Sequence, residues 1–288
     1  MISNLGNPIR IGEINYTNVW PVFYHFNPEQ LKIDVETTLQ VPAQLNRAML
    51  EGEIDLGPIS SFAYGASYDK YNLFPNLSVS AFGPVKSILL FLKKPLEEVL
   101  HGKIALTNTS ATSVNLLKII IEKFYGGKPT YIVMDPSLPE MMEQADAALL
   151  IGDHAIRADW SNRAYEVMDL GERWNYFTGE WMTFAVWAVS RVSTEQHPFE
   201  IRKIVDAFHD SKQRTLMDRE PIVRKACIEI GGTPTYWREY FSGLCHDFGQ
   251  AQQNGLELYF QYCKELGLIE NKVEICIWSD NTVAQVKE

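Results

Sequence analysis

Three places where a short apolar run gives way to small polar residues constrain the fold of this chain most. In the first, residues 103–106 predict a strand, residues 107–113 are small and mostly hydroxyl-bearing, and residues 114–121 predict a helix. Side-chain oxygens of this size accept the unpaired N–H groups of a first helical turn. They also leave the helix N-terminus open to a carboxylate or phosphate. The stretch therefore predicts either an ordinary helix cap or an anion site.

The same arrangement occurs twice more. Residues 54–59 predict a strand followed by two serines, and residues 147–151 predict a buried strand followed by a Gly-Asp pair. In open α/β sheets, ligands bind beyond the carboxyl ends of strands, where helix N-termini converge. Without a glycine-rich phosphate loop, these junctions favour a small anion over a nucleotide. The expected ligand contacts are Ser60, Ser61, Thr107, Ser110, Ala111, Thr112, Ser113, Gly152 and Asp153.

Predicted strands and helices alternate over roughly the first 190 residues, and the remainder is predicted to be almost wholly helical. This βαβ pattern predicts an α/β fold with mostly parallel sheets flanked by helices. The predicted strands are 10–15, 32–39, 54–59, 77–82, 85–92, 103–106, 130–134, 146–151 and 184–190.

Two interruptions divide the pattern, one at residues 93–95 and one in the loop near 176–182. They predict two lobes, the first made of residues 1–92 and completed by 182–288, the second inserted as residues 93–181. Two-lobed proteins joined by two crossings close on ligands by hinge motion, so the ligand cleft is expected between the lobes.

Composition excludes several classes of protein. The net charge of −10 with no basic block argues against a nucleic-acid partner. Apolar runs such as residues 88–92 stop far short of a membrane span. Residues 1–8 lack the basic and apolar regions of a signal peptide, which predicts a cytoplasmic location.

Cysteine and histidine spacing gives no sign of a metal site. The four cysteines form no CxxC pair, and the six histidines form no HxxxH or HExxH pair. We therefore expect reduced, mostly buried thiols and no bound metal or cofactor.

Several sequence blocks lie in order over roughly residues 9 to 190. They comprise 11–18 with Pro21, 45–46, 52–61, 83–87, 107–113 with 116–117, 145–153, 169–174, 178–179 and 184–187. Each is weak alone, but their joint occurrence at one family's spacing is specific. Together they resemble the chorismate dehydratase family of the futalosine route to menaquinone.

The resemblance implies the type II periplasmic-binding-protein fold and the conversion of chorismate to 3-[(1-carboxyvinyl)oxy]benzoate with loss of water. It also implies that Asn18 and Ser87 lie at the reacting centre. Chemistry reasoned from the residues agrees, since chorismate is a dicarboxylate and the chain offers several open helix N-termini. Losing water makes the ring aromatic, so the enzyme needs to supply position and hydrogen bonds rather than a cofactor.

The proton acceptor has several candidates. Asp55, Asp153 and His154 are possible bases, although each also suits a structural role at a turn, a helix cap or the surface. With no well-placed protein base evident, we favour the substrate's own enolpyruvyl carboxylate as the acceptor.

Two other functions fit the same fold. One is a solute-binding protein for a small anion, which would require export. The other is the sister enzyme of the pathway, 1,4-dihydroxy-6-naphthoate synthase, which acts on a larger substrate. The blocks at residues 83–87 and 152–153 favour the dehydratase.

Overall fold

Two five-stranded sheets organise residues 7–279, the part of the chain that the computed structural model describes. Residues 1–6, on which most of the signal-peptide argument rests, lie outside it. The strands are β1 (Ile9–Ile14), β2 (Val35–Gln40), β3 (Leu56–Ser60), β4 (Tyr71–Ala81), β5 (Ile88–Leu92), β6 (Lys103–Thr107), β7 (Thr130–Met134), β8 (Ala147–Ile151), β9 (Glu166–Asp169) and β10 (Met182–Ser190).

Helices cover the sheets and make up most of the chain after residue 190, as the sequence predicted. No helix within residues 7–279 has both the length and the apolar character needed to cross a membrane. The helices are α1 (Trp20–Phe23), α2 (Pro42–Leu50), α3 (Ser61–Ala66), α4 (Leu96–Val99), α5 (Ala111–Lys118, continued by a π-helical turn, Ile119–Phe124), α6 (Leu138–Gln144), α7 (Gly152–Ser161), α8 (Leu170–Thr178), α9 (Arg191–Gln196), α10 (Pro198–Met217), α11 (Glu220–Glu229), α12 (Pro234–Gly243) and α13 (Gln250–Glu265).

Each sheet is mixed, with four strands in one direction and one strand reversed. The order is β2-β1-β3-β10-β4 in the first sheet and β7-β6-β8-β5-β9 in the second. In each, three neighbouring strands are parallel, but β10 and β5 run antiparallel to both of their neighbours. These two strands follow the crossings between sheets, so no helical crossover forces them to be parallel. The predicted α/β fold with mostly parallel sheets is therefore confirmed, with one reversed strand in each sheet.

The division between the lobes also differs from the expected one. Strand β5 lies within residues 1–92, yet it pairs with β8 and β9 of the second sheet. By strand pairing, the first crossing is therefore residues 82–87, which we call the crossing segment. The Lys-Pro break at residues 93–95 follows β5 and only leads into α4.

Helix α13 packs against β10 of the first sheet and against α8, which flanks the second. Trp174 of α8, next to the second sheet, contacts Tyr259 of α13 with 6.3 Å between ring centroids. Gly255 of α13 lies directly against the backbone of Trp181. A Cβ added at Gly255 would come within 2.0 Å of the Trp181 carbonyl oxygen. This close approach fixes α13 beside the second crossing.

Candidate active site

The start of α7 contacts the crossing segment and the loop that follows β1. Gly152 donates its backbone N–H to the carbonyl oxygen of Ser87 at 2.7 Å. Gly152 has a φ of +57°, and an added Cβ would lie 2.9 Å from the ring of Tyr16. Only glycine combines this left-handed backbone with so close a contact. The Gly-Asp junction thus meets Ser87 and the end of β1.

Asp153 joins the two sheets through the loop after β1. Its Oδ1 accepts a hydrogen bond from the Thr17 hydroxyl at 2.6 Å, and its Oδ2 accepts one from the Thr17 backbone N–H at 3.4 Å. Burial raises the pKa of Asp153 despite these hydrogen bonds. The carboxylate that we expected to contact the ligand is therefore already hydrogen-bonded to a threonine.

Asn18 lies one residue further on, in the 3-10 turn Thr17–Val19. Its side-chain Oδ1 is buried and has no hydrogen-bond partner. The imidazole of His246 donates from Nε2 to the Asn18 carbonyl oxygen at 2.7 Å, which holds the backbone of this turn. The hydroxyl of Tyr16 is likewise buried, beside Thr109, without a hydrogen bond of normal geometry. Unpaired buried polar atoms are rare in folded proteins, so Asn18 and Tyr16 are candidates for contact with a ligand.

Ser87 precedes β5 rather than lying within a strand, which corrects the prediction of a strand over residues 85–92. Its side chain is buried, accepts a hydrogen bond from the Tyr240 hydroxyl at 3.2 Å and donates to the Val85 carbonyl oxygen at 3.3 Å. The preceding residue, Lys86, has a φ of +59°, an uncommon conformation for a residue with a side chain. Lys86 lies near the end of the crossing segment, and its left-handed conformation turns the chain toward β5.

Asp169 holds the crossing segment in this conformation. Its Oδ2 accepts the backbone N–H of Lys86 at 2.7 Å, and its Oδ1 accepts that of Val85 at 3.1 Å. Oδ1 also caps α8 by accepting the N–H groups of Gly171 and Glu172, at 2.9 and 3.1 Å. One half-buried carboxylate thus joins the residues before Ser87 to the start of a helix.

The N-terminal ends of α3 and α5 are in contact with each other. The backbone N–H of Phe62 donates to the Thr112 hydroxyl at 3.0 Å, which brings the first and second strand–helix junctions together. Ser60 caps α3 through the N–H of Ala63 at 3.2 Å. Ser61 is fully buried and donates to the carbonyl oxygen of Thr183 at 2.7 Å.

The hydroxyl groups around α5 are mostly paired with one another. Ser110 accepts the backbone N–H of Ser113 at 3.2 Å and donates to its hydroxyl at 3.0 Å. Thr107 and Thr109 share a hydrogen bond of 2.8 Å, and Ala111 is the first helical residue. Tyr16 lies beside Thr109 and also against Gly152, so it connects the α5 and α7 junctions.

Two of the candidate bases lie in different surroundings. Asp55 precedes β3, at the opposite end of that strand from Ser60, and is paired with Arg10 at 2.8 Å. Burial acts to raise the pKa of Asp55, but the hydrogen bonds and charge of Arg10 outweigh it and hold that pKa below its usual value. His154 is exposed, with its ring edge-on to Tyr16 at 6.2 Å.

Sequence reasoning missed the residues of the helical region that contact this site. Tyr240 and His246 lie about 150 and 230 residues from the groups that they contact, and nothing in their local spacing marks them. Asp169 was part of a recognised block, but its contact with the crossing segment had no sequence signal. Among residues 7–279, no three His, Cys, Asp or Glu side chains are arranged to hold a metal ion.

Comparison with known proteins gives both a family and a fold. The model of a family described as menaquinone biosynthesis matches residues 9–265. The chain is 29% identical over 267 residues to a protein of Thermus thermophilus named chorismate dehydratase, a match that covers 88% of this chain and 94% of the relative.

Solved structures show that the fold is that of periplasmic binding proteins. An Archaeoglobus fulgidus protein aligns with a TM-score of 0.74 at 18% identity, covering 91% of this chain and 98% of that one. The periplasmic aliphatic sulphonate-binding protein of Escherichia coli aligns with a TM-score of 0.67 at 18% identity, covering 96% and 93%.

Proposed function

This chain belongs to the menaquinone-biosynthesis family, and we propose that it is a chorismate dehydratase that converts chorismate to 3-[(1-carboxyvinyl)oxy]benzoate and water. The observation that carries the proposal is the family match over residues 9–265, joined to a chorismate dehydratase relative that aligns with 88% of the chain. The site between the sheets supports it, because its groups suit this reaction.

The reaction is an elimination that needs no redox partner. The C–H bond at the ring carbon bearing the ether breaks, and its electron pair enters the ring as the neighbouring C–O bond to the hydroxyl breaks. The departing hydroxide and the proton together make water. Because the ring becomes aromatic, the product is strongly favoured, and the enzyme lowers the barrier by orienting the substrate and stabilising the leaving oxygen.

Asn18 and Ser87 are proposed to stabilise the leaving hydroxyl. The Asn18 side chain is buried with its oxygen unpaired, and its amide N–H groups would be the donors; the Ser87 backbone carbonyl oxygen accepts the Gly152 N–H at the start of α7. The substrate carboxylates are proposed to bind near the N-termini of α5 and α7, where unpaired N–H groups and the helix dipole favour negative charge. Neutral hydrogen-bonding groups suit a departing hydroxyl, since they stabilise it without trapping a charged intermediate.

The proton is proposed to pass to the enolpyruvyl carboxylate of the substrate itself. Asp55 is engaged by Arg10 at the other end of β3, and Asp153 already accepts two hydrogen bonds from Thr17. The proposal includes a cytoplasmic location, which the four free cysteine thiols fit.

The decisive experiment is to incubate the purified protein with chorismate in the presence of a chelator. We expect an aromatic product lighter than chorismate by one water, detected by chromatography with mass spectrometry. Chorismate that binds but is recovered unchanged would indicate a solute-binding protein. Turnover only of a larger futalosine-derived substrate would indicate the sister enzyme instead.

A further inference from the structure

Helix α12 contacts Ser87 through the side chain of Tyr240. The side chain is 1% exposed, and its hydroxyl donates to the Ser87 oxygen at 3.2 Å. The same hydroxyl lies beside that of Thr17, the residue before Asn18. Tyr240 therefore contacts both Ser87 and the residue next to Asn18 in the chain.

The ring of Tyr240 is held on several sides. Tyr236 stacks on it with an interplanar angle of 9°, and Trp237 packs edge-on at 5.4 Å between centroids. Trp237 is itself fixed by a hydrogen bond from its indole N–H to the Gly231 carbonyl oxygen at 2.7 Å. A ring packed in this way gives its hydroxyl a fixed position, because it cannot turn without disturbing its neighbours.

An ion pair ties α12 to the crossing segment next to Ser87. Lys86 Nζ and Glu239 Oε2 are 2.9 Å apart, and these residues immediately precede Ser87 and Tyr240 in the chain. The Ser87–Tyr240 hydrogen bond is thus the buried member of two contacts between the same segments. The exposed ion pair adds little stability. It is a second contact between α12 and the crossing segment, directly beside the Ser87–Tyr240 hydrogen bond.

The hydrogen bond from Tyr240 limits where the Ser87 proton can point. A serine hydroxyl carries one proton and accepts through its lone pairs. With one lone pair occupied by Tyr240, the Ser87 proton must point elsewhere, and here it points to the Val85 carbonyl oxygen at a long 3.3 Å. So weak a contact is easily exchanged for a substrate oxygen.

We propose that Tyr240 is a positioning residue that orients the Ser87 hydroxyl so that its proton is available to the departing hydroxyl of the substrate. The inference rests on the proposed function, because it requires Ser87 to act on the leaving group. Its benefit lies in the transition state: a donor already oriented needs no rearrangement as charge develops on the leaving oxygen.

The test is a double-mutant cycle on kcat with chorismate, using Tyr240→Phe, Ser87→Ala and the double variant. Tyr240→Phe deletes one oxygen and keeps the packed ring. We expect it to lower kcat about tenfold, the size of one ordinary hydrogen bond, with KM nearly unchanged. In the Ser87→Ala background the same change should have no further effect, because Tyr240 acts through Ser87.

Tyr64→Phe is the matched control. Its buried hydroxyl donates to the Glu274 carbonyl oxygen at 2.8 Å and belongs to no part of the site. It should lower the melting temperature about as much as Tyr240→Phe does, without changing kcat. If Tyr240→Phe does not fold, replacing Tyr240 alone with 3-fluorotyrosine, a stronger phenol donor, should change kcat only when Ser87 is present.

The outcomes separate the two proposals. A protein that does not dehydrate chorismate, or a Ser87→Ala variant with normal turnover, contradicts the proposed function or its reacting centre. Normal kcat in Tyr240→Phe beside a defective Ser87→Ala overturns only the role of Tyr240. An equal loss of kcat with and without Ser87 also overturns that role, since Tyr240 would then act independently.

Discussion

The hydroxyl groups at the helix starts and the centre formed by Asn18 and Ser87 differ in where their partners come from. Ser60 caps a residue three positions away, and Ser110 pairs with Ser113. Asn18 and Ser87 instead contact His246 and Tyr240, far along the chain. The caps formed by Ser60 and Ser110 are therefore locally built, whereas the surroundings of Asn18 and Ser87 depend on the C-terminal region of the chain.

The comparison indicates that the partners of a polar residue, rather than its type, distinguish a helix cap from a group that can be oriented for chemistry. A hydroxyl that caps its own helix contributes mainly to stability and to an anion site. A hydroxyl fixed by distant side chains can be oriented for one chemical step. The changes below are therefore expected to affect turnover at the centre and affinity or stability elsewhere.

The largest effect is expected from Asn18→Ala. Removing an amide that stabilises the leaving oxygen should lower kcat by roughly a hundredfold to a thousandfold, with a smaller change in KM. Steady-state kinetics with chorismate measure both constants. Asn72→Ala, which removes an amide hydrogen-bonded to Thr194 at 3.5 Å in the first sheet, is the control and should stay near wild type. A normal kcat in Asn18→Ala would show that Asn18 does not act on the leaving group.

The next largest effect is expected from Asp169→Ser. A serine oxygen can still cap α8, but it is too short to accept the N–H groups of Val85 and Lys86. Displacing Ser87 by about 1 Å should lower kcat by about a hundredfold at most. Asp146→Ser is the control, because Asp146 also accepts a backbone N–H, from Lys103 at 2.9 Å, outside the site. Equal kinetics in the two variants would contradict a role for Asp169 in placing Ser87.

At a helix start, Ser110→Leu should weaken chorismate binding and change kcat less. The larger side chain would block an anion site whose dipole contributes about 0.3–2 kcal/mol, which corresponds to roughly a two- to thirtyfold loss of affinity. Calorimetry measures the affinity, and Ser137→Leu at the start of α6 provides the control. Unchanged affinity would mean that Ser110 is only a cap.

The smallest effect concerns pH and His246. Burial lowers the pKa of His246 to about 4, so between pH 6.5 and 4 the unfolded chain binds a proton that the folded chain does not. Stability is thus full above pH 6.5 and falls as pH decreases, by about 3 kcal/mol at most from this residue. His246→Gln keeps an N–H donor for Asn18 and should lose this part of the pH dependence. Denaturant unfolding at several pH values measures the free energy of unfolding of both proteins. An equal change of that free energy with pH in wild type and His246→Gln would contradict the prediction.

The sequence predicted the features that depend on local pattern. The alternation of strands and helices, the helical region after Ser190 and the three strand–helix junctions all follow from periodicity and small polar residues. The antiparallel direction of β5 and β10 could not be read, because strand direction depends on the crossing route. The left-handed conformation of Lys86 was also invisible, since it is imposed by the distant carboxylate of Asp169.

The most direct test of the central claim compares Ser87→Ala with Ser60→Ala in one set of experiments. Both remove a single hydroxyl oxygen. We predict that Ser87→Ala lowers kcat by about a hundredfold or more with little change in melting. Ser60→Ala should lower the free energy of unfolding by about 1 kcal/mol and leave kcat nearly unchanged. Equal kcat losses in the two variants, or a larger loss in Ser60→Ala, would contradict the assignment of the reacting centre to Ser87.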